Sequence, residues 1–309
     1  MKRAPSAAGK RPGRLNLRRN WQKHALMLPA IILIFIFSYI PMVGIVIAFQ
    51  QYLPTKGYFG SPWVGLDNFK YMFQLPNVGK VITNTLFISF LKIVTVLAAA
   101  VLFALFLNEI RVRWLRTGIQ SMALFPFFLS WVTLGGIVKD IVAYDGMINN
   151  ALASVGLAQI PFLSNSGWFT FMLVFSNIWK EMGYNAIIIL AALTAIDPAL
   201  YEAATIDGAT RMQKLRYVTL PGIAQVVAML LILALGGILN GGFDQIYNLY
   251  NTLVMPDVDI IDTYVFRIGV LGGQYGLGTA VGLFKSVVGF ILLSVSYKAA
   301  DRYAGYRIF

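Results

Sequence analysis

Residues 195–223 read AIDPALYEAATIDGATRMQKLRYVTLPGI. Asp197 offers a side-chain acceptor directly before Pro198, and a proline at the first helical position wastes no N–H. The spacing predicts a helix from Pro198 through Glu202 to about Asp207, ended by Gly208. Thr210 and Gln213 have the spacing of a capping box for a second short helix. That helix is expected to stop near Thr219, with Pro221 opening the apolar stretch that follows. Residues 197–219 therefore form a helix–turn–helix elbow. It carries both charge signs and an apolar stripe of Leu200, Ala203, Ala204 and Ile206. An exposed apolar stripe on a connecting elbow calls for something to bury it.

Outward from the elbow, the chain is dominated by long apolar runs. Trp168–Ala195 precedes it and Leu220–Leu239 follows it; further out lie Ala25–Phe49, Ile82–Leu107, Ile119–Val138 and Gly276–Tyr297. Each has the roughly 20 mostly apolar residues that a membrane-crossing helix needs. The 309 residues are 58% hydrophobic and only 12% charged, against roughly 25% charged in a soluble domain. The expected fold is thus an all-α integral membrane protein with six transmembrane helices. Residues 1–23 form a basic tail, and 24–309 the membrane domain with its elbow at 197–219. The net charge of +12 does not point to nucleic acid, because eight of the 25 Lys and Arg lie in residues 1–23 and most others flank the apolar runs. With the N-terminus inside, the inner segments hold seventeen Lys and Arg and the outer loops five. That bias predicts both termini on the cytoplasmic side. The chain has no Cys and one His, His24, so neither a metal site nor a His-based triad is expected.

Ionisable groups inside spans cost roughly 2.5–3.5 kcal/mol each on insertion scales and usually face a cavity or a partner. Four stand out: Lys92, Lys180, Glu181 and Lys285. The three lysines lie about nine to twelve residues from the outer ends of their helices, or about 14–18 Å deep. Asn177, Glu181 and Asn185 share one helix face at i, i+4 and i+8. Asn240, Gly241, Gly242, Phe243, Asp244 and Gln245 form a second polar, Gly-loosened patch. Three lysines against one acid predict a cavity with surplus positive charge, suited to an anionic solute.

The run Glu202-Ala203-Ala204-x-x-Asp207-Gly208-Ala209 with Leu220-Pro221 resembles the EAA signature of bacterial ABC importer permeases of the MetI-like, type I class. Tyr39-Ile40-Pro41-Met42-x-Gly44, Gly60-Ser61-Pro62-Trp63-Val64-Gly65-Leu66-x-Asn68-Phe69, Asn84-Thr85-Leu86, Leu107-Asn108-Glu109 and Gly242-Phe243-Asp244-Gln245 resemble its carbohydrate-uptake branch, in particular the LplB-type and uronate-oligosaccharide subgroup. The departure is Phe125-Pro126-Phe127-Phe128-Leu129-Ser130-Trp131, where relatives often carry a His after the Pro. The resemblance implies a permease subunit of the cell membrane that moves an oligosaccharide by alternating access, and its subgroup points to uronate-containing ones. It implies coupling to ATPase subunits through Glu202, Ala203, Ala204, Asp207, Gly208 and Ala209. It implies a substrate path along Asn177, Trp179, Lys180, Glu181, Tyr184, Asn240, Gly241, Phe243 and Asp244, to which the membrane lysines Lys92 and Lys285 are added. The implied partners are a second homologous permease, two ATPase subunits that bind ATP and Mg, and an extracytoplasmic sugar-binding protein. No cofactor is expected on this chain, and no G-x-x-x-x-G-K-[ST] phosphate loop occurs in it. A permease for a small neutral sugar or other solute is the alternative within the class. A secondary transporter would show internal repeats or broken midplane helices, and an intramembrane enzyme would show paired catalytic groups; neither pattern is evident.

Overall fold

The computed structural model describes residues 21–304, so most of the basic tail 1–23 lies outside the described residues. Helix α1 (Trp21–Ile34) continues through a π turn, Phe35–Tyr39, and a 3-10 segment, Ile40–Phe49, making His24–Phe49 one apolar span. Pro41 has no N–H to give, and the irregular turns around it absorb the loss. The following loop carries the short helices α2 (Gly57–Gly60) and α3 (Asp67–Gln74). Asn68 closes it by donating from Nδ2 to the carbonyls of Ala48 and Gln50, at 2.9 and 3.0 Å. Phe49 stacks on Trp63 beside them. The second span is α4 (Val78–Glu109), unbroken over 32 residues.

The third span is not the straight helix expected over Ile119–Val138. It consists of α5 (Arg113–Leu124), a 3-10 turn Phe125–Phe128, and α6 (Trp131–Val142), with the segments on either side bent by 107°. Pro126 interrupts the helical ladder, Leu129 is extended, and Ser130 starts α6 by accepting the Thr133 N–H. The stretch MINNALAS forms α7 (Met147–Ser154). Its buried Asn149 ties the loop together through Ala143 and both backbone groups of Ile160.

The fourth span, α8 (Ser166–Thr194), turns by 66° into α9 (Pro198–Ile206). The second arm, α10 (Arg211–Lys214), does not stop before Pro221. It runs through a π turn, Leu215–Thr219, straight into α11 (Leu220–Gly236). The wide turn lies just ahead of Pro221 and accommodates its missing N–H within one helix. Short helices α12 (Phe243–Leu249), α13 (Met255–Val258) and α14 (Ile261–Val265) follow, then a π segment, Phe266–Leu271, and the last span, α15 (Tyr275–Ala304). Among the described residues there is no named strand. Four helices are long and apolar enough to cross a membrane alone, and the two bent pairs raise that to six.

Packing rests on small residues where helices meet closely. Ala100 and Ala104 of α4 and Ala186 of α8 are fully buried beside Leu107, Ile189 and Ile223. Gly183 lets α8 approach α5: a Cβ there would collide with the Ala123 carbonyl. Gly278 likewise packs on Gly269. Gly237 and Gly241 belong to no helix face, because α11 ends at Gly236. Opposite the elbow, a larger core gathers Ile88, Phe169, Leu173, Ile246, Leu249 and Ile260 from α4, α8 and the segment after α11.

Candidate substrate cleft and coupling elbow

Two features of the fold meet near the middle of the spans. One is the polar face of α8. The other is the break after α11, where residues 237–242 leave the helix. Between them and α4 lies a cleft of about 260 Å³ lined by Lys92, Asn177, Glu181, Asn185, Asn240 and the glycines 237, 241 and 242, among others. Asn177, Glu181 and Asn185, which the i, i+4, i+8 spacing put on one face of α8, line the cleft together. Lys92 is buried, and its Nζ donates to the Gly241 carbonyl at 2.9 Å. An ammonium has three donors, so the contact holds the broken backbone and leaves donor capacity at the cleft. Gly242 sits in the left-handed region at φ +88°, and a Cβ there would lie 2.9 Å from the Lys92 ammonium. Gln245 locks the segment after the break to α8, donating from Nε2 to the Leu173 carbonyl at 2.7 Å and to Ser176 Oγ at 2.9 Å.

Several expected path residues are placed elsewhere. Lys180 turns away from the cleft into the bend of the third span. It donates to the carbonyls of Pro126, Phe127 and Leu129 and lies 5.8 and 5.6 Å from the Phe127 and Trp131 rings. Tyr184 stacks on Phe127 at 4.3 Å. Trp179 shares its exposed face with Phe171 and Phe175, one helical turn apart each. Phe243 packs on Tyr247 and Phe266, and Asp244 is exposed at the start of α12. Lys285 lines a neighbouring cavity of about 310 Å³ across Asn240, with its Nζ paired to Asp262 at 2.5 Å. The expected surplus of positive charge is thereby overturned: Lys92 and Glu181 are the two ionisable residues lining the cleft.

The elbow has the expected caps. Asp197 Oδ1 accepts the Ala199 N–H at 2.9 Å. Gly208 has φ +74°, which a side-chain-bearing residue adopts only with strain. Thr210 and Gln213 complete the capping box. Lys214 Nζ reaches back to Thr205 Oγ1 at 2.7 Å and braces the two arms. Glu202, Ala203, Asp207 and Gly208 are exposed, with Leu200 and Ile206 beside them; Ile206 is 87% exposed. Ala204 and Ala209 are half-buried on the inner side of the turn.

Residues 96–304 match the family described as the binding-protein-dependent transport system inner membrane component. The chain belongs to this family. It is accordingly a permease subunit, not itself a catalyst. Over 278 residues the permease is 41% identical to Protein LplB of Bacillus subtilis, covering 90% of this chain and 87% of that one. It is 40% identical over 281 residues to the polygalacturonan/rhamnogalacturonan transport system permease YteP of the same organism, covering 91% and 88%. Its structure resembles a chain in the crystal structure of a bacterial ABC transporter involved in the import of the acidic polysaccharide alginate. The TM-score is 0.86 at 37% identity, with 93% of this chain and 98% of that one covered. A second structure shows an alginate transporter in complex with an alginate pentasaccharide-bound periplasmic protein, with a TM-score of 0.85.

Sequence reasoning about the permease did not find Ser89 in the cleft or Asp262 beside Lys285. Asp262 reads as an outer-loop acid, and only the fold of α14 against α15 brings it to a lysine ten residues into the last span.

Proposed function

We propose that this chain forms half of the translocation path of an ATP-driven oligosaccharide importer in the bacterial cytoplasmic membrane. The observation that carries the reading is the cleft. Three amides, a carboxylate and an ammonium converge on a broken helix inside an otherwise apolar protein. Amides and charges bond sugar hydroxyls, and a second homologous permease would supply the opposite wall. The N-terminus and the elbow face the cytoplasm, as the Lys/Arg bias indicates. There the exposed run around Glu202 to Gly208, with Leu200 and Ile206, docks into an ATPase subunit. A sugar-binding protein delivers substrate at the opposite end. Acidic oligosaccharides are the favoured class, on the likeness to permeases named for polygalacturonan and alginate transport. Lys92 is the cleft's cation for such a carboxylate.

The test is uptake of matched acidic and neutral oligosaccharides by the complete importer in proteoliposomes. Wild type should carry the acidic sugar faster, and Lys92→Gln should lower that preference about tenfold, the scale of one charge-assisted contact. Glu202→Lys should abolish uptake of both while the chain still inserts. Equal uptake of both sugars in wild type and Lys92→Gln rejects the acidic class; full uptake by Glu202→Lys rejects the coupling role.

A further inference from the structure

A second cavity, of about 560 Å³, lies between the elbow end of α4 and the second arm of the elbow. It is larger than the cleft and belongs to no part of the path described above. Its lining is two-sided. Arg111, Arg211 and Lys214 bring three cations against one acid, Glu109. Leu105 and Phe106, from the last turns of the second span, give it an apolar wall; Phe106 is 55% exposed. Among the described residues neither arginine has a salt-bridge partner, and both are exposed. Lys214 spends one donor on Thr205. The cavity therefore presents two guanidinium forks without an acid partner beside an apolar wall, at the end of the second span.

Guanidinium forks match the oxygens of a phosphate in two-point geometry. Basic pockets between helices at the cytoplasmic face suit anionic headgroups, and the acyl chain of such a lipid finds its own solvent against Phe106 and Leu105. A free phosphate would use the cations and leave the apolar wall idle. We propose that this cavity binds the phosphodiester headgroup of an anionic phospholipid of the inner leaflet, tying the elbow's second arm to the end of α4. The inference rests on the orientation given under Proposed function, but lipid binding is read without reference to transport.

The complete importer, purified and delipidated in detergent, would be given phosphatidylglycerol or phosphatidylcholine and examined by native mass spectrometry. Wild type should retain one more phosphatidylglycerol per copy of this chain than Arg111→Gln/Arg211→Gln, whose apparent affinity at that site falls about tenfold to thirtyfold. Phosphatidylcholine should show no such difference. Arg111→Lys/Arg211→Lys should bind between the two, because the charge remains and the two-point geometry is lost. Millimolar inorganic phosphate should not displace the lipid. Equal retention by wild type and the glutamine variant overturns the proposal. Displacement by inorganic phosphate makes it a free-phosphate site and overturns the lipid. Loss of the ATPase subunits from the glutamine variant shows that the cations face those subunits and overturns it as well.

Discussion

Lys180 shows how a residue's depth can mislead about its task. An ammonium midway along a span suggests a solute, yet here it bonds the backbone carbonyls of Phe127 and Leu129, which the 3-10 turn at Phe125–Phe128 and the extended residue after it have released, and that of Pro126, which also accepts the Leu129 N–H. Released carbonyls inside a membrane have no water to turn to, and each unsatisfied buried group costs about 1–3 kcal/mol. Lys180→Met should therefore lower the stability of the purified complex by about 3 kcal/mol or more, read as a fall in its thermal midpoint. Lys180→Arg should recover part of the loss. The ratio of acidic to neutral sugar carried should not move in either variant. An unchanged midpoint with a changed ratio would return Lys180 to the substrate path. Lys92 makes a related bond to Gly241 but stays at the cleft, because its carbonyl partner lies on the cleft's own wall.

At the scale of elements, the irregular segments do the positioning. The break after Gly236 lets residues 240–242 reach α4, and the bend at Pro126 lays α6 across α12. The last span is held by an ion pair: Lys285 of α15 meets Asp262 of α14, their side chains 18% and 24% exposed. Removing one partner of such a pair strands the other, at a cost of about 3 kcal/mol, whereas replacing both with apolar residues is close to neutral. Lys285→Met and Asp262→Leu should each destabilise the complex, and Lys285→Met/Asp262→Leu should restore most of the loss. Thermal unfolding of the four forms of this cycle checks it; additive losses in the double variant would show that the two residues act separately. At the end away from the elbow, Asp257 accepts from Lys80 at 2.6 Å and from Ser166 at 2.5 Å, linking the starts of α4 and α8. Hydrogen bonds from Lys80 and then Ser166 hold its carboxyl below the usual range.

At the scale of the whole molecule, the question is which end faces the cytoplasm. The elbow and the start of α1 are expected at one end, the loop with Phe59 and Gly60 at the other. The chain has no cysteine, so single cysteines at positions 10 and 212 should react with a membrane-impermeant maleimide only from the cytoplasmic side. One at position 60 should react only from outside. Labelling of position 212 from outside would invert the orientation and remove the elbow from reach of an ATPase. The asymmetry has an electrostatic origin: Lys and Arg next to spans resist translocation.

The amino-acid sequence by itself determined the class and most of the elements. Apolar run length, caps and the Lys/Arg bias are local quantities, and residues 195–223 could be read as an elbow from Asp197, Pro198, Gly208 and the Thr210–Gln213 box alone. The resemblance of the same residues supplied the family. The spacing of Asn177, Glu181 and Asn185 was legible for the same reason, since helix periodicity places them on one face. What only the tertiary structure decided is where each charge ends. Lys180 differs from Lys92 by its neighbours, not by its depth or its flanking residues, and the carbonyls that claim it come from 51 to 54 positions away. Asp262 meets Lys285 across 23 residues. Inside a membrane, a charge is placed by whichever released backbone group or counter-charge the packed helices bring within hydrogen-bond reach, and that is a property of the assembled helices.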